Sequence, residues 1–235
     1  MSLSGIFPID RWNFTTQSTL SVLSEEEYAD LVVHQSDQKF LKGDVIFREG
    51  AVPSGIFLIQ SGKIKKYKVD NLTREQIIYV AGPGELIGYH AVLSEERYPD
   101  SAAAIEDSVI SFIPQDDFIR ILHRSPAFNS RLLKALSHEF TVLVNGISVI
   151  AQRTAAERLA IALIVLREKY KKDGPSEKEI VLNISRMDLA NMAGIAQENV
   201  IRLLKEFKRE GILETDGRKI KIKDIQLLIK KSNYR

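Results

Sequence analysis

The sequence contains no cysteine. That absence excludes disulfides, thiolate nucleophiles, iron–sulfur clusters and cysteine-type zinc sites together, and it fits a reducing compartment. Proline and glycine are few, 7 and 13 of 235 residues, so collagen-like and low-complexity scaffolds are excluded as well. Long hydrophobic runs are missing. The most apolar helical stretch, residues 155–166, carries Glu157 and Arg158 and ends at Arg167, too short and too charged to span a bilayer. Residues 1–14 lack a basic run followed by an apolar stretch, so no signal peptide is expected and the expected location is the cytoplasm. What remains is a chain with 44% hydrophobic and 27% charged residues, the balance of a soluble globular protein of one large or two ordinary domains.

The net charge of +2 conceals an asymmetry. Residues 1–150 carry 14 Lys/Arg and 19 Asp/Glu, a net of −5. Residues 151–235 carry 19 and 12, a net of +7. A basic second part suggests a polyanionic partner. Lysines and arginines that only solvate a surface give the same count, so charge alone leaves both readings open.

Local patterns divide the chain further. Ser24 and Glu27 have the spacing of a capping box, which predicts a short helix from there to about His34. Residues 39–114 read as short apolar segments (45–47, 56–59, 64–69, 76–80 and 109–113) separated by glycine and proline turns. That spacing predicts a closed or rolled antiparallel structure. Pro126 suits the first turn of a helix. Leu133, Leu136, Phe140, Leu143, Ile147 and Ile150 follow in steps of three and four, a narrow heptad seam for one partner helix or for packing within the domain. A further helix is expected over 155–170, then a polar loop over 171–176.

The pattern between Ser185 and Gly211 points to nucleic acid. Ser185 and Asp188 form a capping-box-like start, with Leu189 and Met192 facing inward. Gly194 allows a tight turn, and a second helix from about Gln197 to Arg209 turns Val200, Leu203, Leu204 and Phe207 to one face. Ala190, Gly194 and Val200 suit two helices crossing steeply over a short turn. The other face carries Gln197, Glu198, Ile201 and Arg202 near the N-terminal end, where a recognition helix meets base edges. Arg can bond guanine O6 and N7 while Glu accepts from cytosine N4. A plain Glu198–Arg202 ion pair on a solvated helix has the same spacing. Asp216-Gly217 between alternating segments then predicts a hairpin, a wing that puts Arg218, Lys219 and Lys221 within reach of phosphate.

With these pieces in order the chain resembles the catabolite activator/fumarate–nitrate regulator (Crp/Fnr) family of bacterial transcription factors. In the first part the likeness rests on Lys42-Gly43-Asp44-Val45-Ile46-Phe47-Arg48-Glu49-Gly50, on residues 56–62 and on Gly84-Glu85-Leu86-Ile87-Gly88. In the second it rests on Glu157-Arg158-Leu159 and on residues 184–213. The resemblance implies an α+β protein: an N-terminal cyclic-nucleotide-binding-like β-roll (jelly roll) over 1–125, a long dimerisation helix over 126–152 and a C-terminal winged helix–turn–helix over 153–235. It further implies a homodimer joined through the seam, double-stranded DNA with a palindromic operator as partner, and RNA polymerase as a further candidate partner. Ser185 and Arg186 fall where family members touch phosphate, and Gln197, Glu198 and Arg202 where they read bases. Ala196 replaces the usual Ser or Thr N-cap, and Ile201 could pack on a thymine methyl.

The effector pocket implied by the resemblance comprises Gly84, Glu85, Leu86, Gly88, Tyr89, Asp100, Ser101, Leu143 and Val144, and it departs from the cyclic-AMP pattern. Asp100 stands where a cyclic-phosphate Arg is needed, and a like charge there is repulsive. Tyr89 replaces the ribose-binding Glu, and Leu143 and Val144 replace base-contacting hydroxyls. Cyclic-nucleotide binding is therefore not expected. Of the four histidines, His34, His90, His123 and His138, His90 lies nearest the sensor turn, but a lone histidine is more often structural than a haem ligand. No cofactor and no metal are expected, and the effector is an unknown small molecule or none.

Two other classes compete. A ligand-sensing module with a non-specific nucleic-acid or protein partner would bind with a steep salt slope and no sequence preference. An enzyme could draw on Glu49, Glu85, His90 and Asp100, but no motif sets a nucleophile, metal triad or phosphate loop beside them, so no catalytic residue is assigned.

Overall fold

A computed structural model of the chain describes residue 3, residues 5–171 and residues 180–234. The chain divides into two compact units. One holds Phe14–Lys68 and Ile78–Val142. The other holds the described residues up to Asn13, Val69–Ile77 and the chain from Leu143 onward.

The first unit begins with α1 (Glu25–Leu31), and both arms of the expected capping box are present: Glu27 N donates to Ser24 Oγ (3.2 Å) and Ser24 N to Glu27 Oε2 (2.8 Å). The helix ends three residues before His34, because Val32 leaves helical geometry and Ser36 already pairs with Phe112 in a sheet. The strands are β1 (Ser36–Phe40), β2 (Val45–Phe47), β3 (Gly55–Ser61), β4 (Ile64–Val69), β5 (Glu75–Ala81), β6 (Leu86–Ile87), β7 (Ser101–Ala104) and β8 (Ser108–Pro114). They form two four-stranded sheets, ordered β1-β8-β3-β6 and β2-β7-β4-β5, with antiparallel pairing at β1–β8, β3–β8, β3–β6, β2–β7 and β4–β7.

Strand β3 explains how the roll is held. Successive side chains of a strand point to opposite faces. Phe57 and Ile59 join one core cluster with Ile64, Tyr79, Ile87 and Ile110, while Ile56 and Leu58 join a second with residues of α2 (Tyr89–Ser94), α3 (Gln115–Arg124) and α4 (Pro126–Gln152). A strand covered on both faces reads as a continuous apolar run rather than an alternation.

In the second unit α5 (Ala155–Tyr170) has the expected limits and starts with its own capping box, Thr154 N to Glu157 Oε2 (2.8 Å) and Glu157 N to Thr154 Oγ1 (3.3 Å). Its residues from Leu159 to Leu166 are all buried, as befits a central helix. The expected polar loop lies, beyond Lys171, outside the described residues. Then come β9 (Val181–Asn183), α6 (Arg186–Ala193), α7 (Gln197–Arg209), β10 (Leu213–Asp216), β11 (Lys219–Ile222) and α8 (Ile225–Ser232). The three strands form an antiparallel sheet ordered β10-β11-β9, and α8 packs on α5. In the same unit Phe7 and Trp12 place their rings 5.6 and 5.3 Å from Tyr234, and Gln76 Nε2 donates to Asn191 O (2.8 Å).

Candidate DNA interface and sensor site

The helix pair is built as its residues require. Ser185 Oγ accepts from Asp188 N (2.9 Å) and donates to the Asp188 carboxylate. The aspartate therefore holds the cap hydroxyl, whereas the glutamates of the two full boxes reach the cap backbone N–H with one more methylene. Gly194 closes α6 at φ +63°, a left-handed conformation that an L side chain rarely adopts, and Ile195 N returns to Ala190 O (3.1 Å). Ala190 and Val200 are buried at the crossing, as expected.

Helix α7 starts after Ala196, whose side chain supplies no cap, so its first-turn N–H groups gain no hydrogen bond from the cap residue. Val200, Leu203, Leu204 and Phe207 are buried. Glu198, Ile201 and Arg202 are exposed on its early turns and Gln197 is half-buried. Arg202 Nη1 lies 3.7 Å from Glu206 Oε2, so its loose i,i+4 partner is Glu206 and not the Glu198 suggested by spacing. An exposed pair at that distance leaves the guanidinium available to a ligand.

The hairpin closes with Asp216 opposite Lys219, so the two loop residues are Gly217 and Arg218, one residue later than expected. Arg218 and Lys219 are exposed. Arg186 is half-buried; its Nη2 donates to Gly217 O (2.7 Å), Nη1 has no hydrogen-bond partner among the described residues, and burial lowers its pKa. The side chain thus ties the start of α6 to the wing tip.

On α4 the seam residues stand open in the single chain. Leu133, Phe140 and Ile147 are 63%, 70% and 68% exposed, Leu143 and Ile150 less so, and Leu136 is half-buried against the roll's second core. Val144 is exposed beside them.

Within the roll the expected sensor residues engage their own neighbours. Asp100 is buried and paired with buried Lys66 (Nζ to Oδ2, 3.2 Å). Ser101 Oγ accepts from Glu49 N (2.9 Å). Gly84 and Gly88 both take φ +81°, and at Gly88 a Cβ would stand 3.2 Å from the Phe57 ring. Leu86 is in the core, and Glu85 accepts from Tyr79 Oη (2.7 Å) and Gly82 N (3.3 Å). Tyr89 donates to Glu139, whose other oxygen lies 2.8 Å from His90 Nε2. Desolvation, then the facing carboxylates, drive the Tyr79 and Tyr89 hydroxyls far above the ordinary phenol range. Leu143 and Val144 belong to the part of α4 in the other unit. The sequence reading missed Lys66 and Glu139. Ile64 and Lys66 fall on one face of β4, so a charge at a core-facing position was the available signal. Among the described residues no group of three or more His, Asp or Glu could hold a metal ion, and no helix is long and apolar enough to cross a membrane.

A helix pair with a left-handed glycine turn, followed by a basic hairpin and preceded by a sensor-type roll, defines a DNA-binding regulator of winged helix–turn–helix type. Residues 37–125 match the cyclic nucleotide-binding domain and residues 157–231 the Crp-like helix-turn-helix domain. The chain is 30% identical over 208 residues to the anaerobic regulatory protein of Haemophilus influenzae, covering 88% of this chain and 80% of that one. It is 30% identical over 183 residues to the transcriptional activator protein FnrA of Stutzerimonas stutzeri, covering 78% and 75%. The solved structure of FixK2 from Bradyrhizobium japonicum shares its fold, with TM-score 0.73, 21% identity, and 84% and 96% of the two chains covered. The chain belongs to the Crp/Fnr family of DNA-binding transcription regulators.

Proposed function

We propose that this regulator binds a palindromic operator as a homodimer, reads it with Gln197, Glu198, Ile201 and Arg202, and grips phosphate with Ser185, Arg186, Arg218 and Lys219. The observation that carries the reading is the division of α7 into a buried apolar face and an exposed face bearing Glu198, Ile201 and Arg202 at its N-terminal end. The uncapped amides of its first turn favour an anion there. The dimer forms through the α4 seam, where Leu133, Phe140 and Ile147 leave an apolar stripe exposed in one chain. Function divides as a roll over 1–125, a dimer helix over 126–152 and a DNA-binding part over 153–235. The protein acts in the cytoplasm and is not an enzyme.

The roll does not respond to cyclic nucleotides. At the phosphate position the Asp100 carboxylate repels an anion, and the cation beside it, Lys66, is already committed to that carboxylate. Calorimetric titration with cyclic AMP and cyclic GMP gives no heat of binding; a micromolar constant for either refutes this part. For the operator, selection from random DNA by the purified protein yields an inverted repeat. Uniform binding that vanishes smoothly with salt refutes it.

A further inference from the structure

Phe14 belongs to no strand or helix, yet its side chain is buried in the inner core of the roll. Its ring stacks on Tyr79 with centroids 3.7 Å apart and planes 11° from parallel. Its backbone N–H donates to Tyr79 Oη (2.9 Å), and that hydroxyl donates onward to Glu85 (2.7 Å). Lys66 Nζ, the partner of Asp100, sits 6.0 Å above the same ring. The following residues fix the segment to the turn between β5 and β6: Leu86 N donates to buried Thr16 Oγ1 (3.3 Å), and Gln17 Nε2 donates to Pro83 O (2.9 Å).

Room for a ring comes from the core's composition. Ala81, Ala91, Ala102 and Ala104 all belong to the cluster that contains Phe14, contributed by β5, α2 and β7. Four small side chains leave a volume that a close-packed interior must fill. The strand face that supplies Ala102 and Ala104 starts beside Asp100 and Ser101, the positions at which the family likeness sets a ligand's phosphate.

We infer that the sensor site of the roll is an aromatic site whose occupant is Phe14 of the same chain. The chemistry it recognises is a planar, uncharged ring that stacks on Tyr79, lies under the Lys66 ammonium and offers an N–H to Tyr79 Oη. Once the Phe14 ring is removed, an aryl compound bearing one N–H donor fits the vacated place, and indole is the smallest such probe. The inference rests on the reading of the roll as the sensor half and not on any DNA contact.

The test compares the unsubstituted 235-residue chain with Phe14→Ala, without DNA. The variant melts about 10 °C lower, the shift of a lost core phenylalanine in a chain of this size. Millimolar indole raises the variant's melting temperature by several degrees and leaves the wild type unmoved. Equal melting temperatures, or an equal indole effect on both proteins, overturn the inference. Should Phe14→Ala not fold, Phe14→Leu keeps apolar volume but loses the stack, and it is expected to melt lower and gain from indole less strongly. In the wild type, hydrogen exchange finds the Phe14 amide protected by its bond to Tyr79; exchange at the rate of an open chain overturns the inference with no variant at all. Because DNA enters none of these readouts, their failure is distinct from failure of the operator reading.

Discussion

Replacing Phe140 by aspartate tests the proposed dimer seam at its most exposed residue. The side chain is 70% exposed in the single chain. A buried phenylalanine covers about 200 Å², so about 140 Å² per protomer remains to be covered. At about 25 cal/mol per Å² that is worth about 3.5 kcal/mol, and the two-fold axis of the proposed dimer counts it twice. Taking only half of the doubled figure, because packing against the partner is incomplete, leaves about 3.5 kcal/mol, or about 300-fold in the dimer dissociation constant. The aspartate adds the desolvation of a charge to that loss. Sedimentation equilibrium is the assay, and circular dichroism checks that the protomer stays folded, as expected for a residue so exposed. A Phe140→Asp protein that dimerises as tightly as the wild type would place the interface elsewhere and refute the reasoning.

Other consequences concern single groups. Arg202→Ala is expected to weaken operator binding by about 1–3 kcal/mol and to relax preference at one G·C pair; equal weakening on every sequence in a binding assay contradicts base reading. Lys66→Met strands the buried Asp100 carboxylate and should cost about 3–5 kcal/mol in urea unfolding, most of it regained when Asp100→Leu is added. If the double variant is no more stable than the single, the pair is not the reason. Glu157 is held below its ordinary pKa of 4.5, first by the Thr154 N–H and then by the Asn233 amide. A lowered carboxylate pKa stabilises the fold above 4.5 and ceases to do so as the pH falls through the folded value. The stability advantage of wild type over Glu157→Gln should therefore shrink between pH 6 and pH 3, and a constant advantage contradicts the assignment.

Patterns with a local physical cause were readable in the chain. The Ser24–Glu27 box, both ends of α5, the Gly194 turn and the two faces of α7 follow from capping geometry, glycine's access to φ > 0 and helical period. Strand β7 went unread because Ser101-Ala102-Ala103-Ala104 has little strand propensity; it is held by pairing with β2 and β4 on either side. Helix α3 follows Pro114 without a side-chain cap, and so lacked a start signal. In the roll the family likeness could be followed residue by residue at Asp100 and Tyr89. The contacts of Phe14, Lys66 and Glu139 were not legible, because their partners lie 65, 34 and 50 positions away. Contacts that distant leave no period in the sequence, only a core-facing charge or an aromatic in a loop.

The proposed function stands or falls on sequence-specific DNA binding by the purified protein. Selection from a random duplex pool by the purified 235-residue chain, with no small molecule added, at about 0.15 M salt, measures this. One inverted repeat is expected to be enriched, with half-sites about one helical turn apart, centre to centre. A pool that stays random, with retention falling smoothly as salt rises, would contradict it.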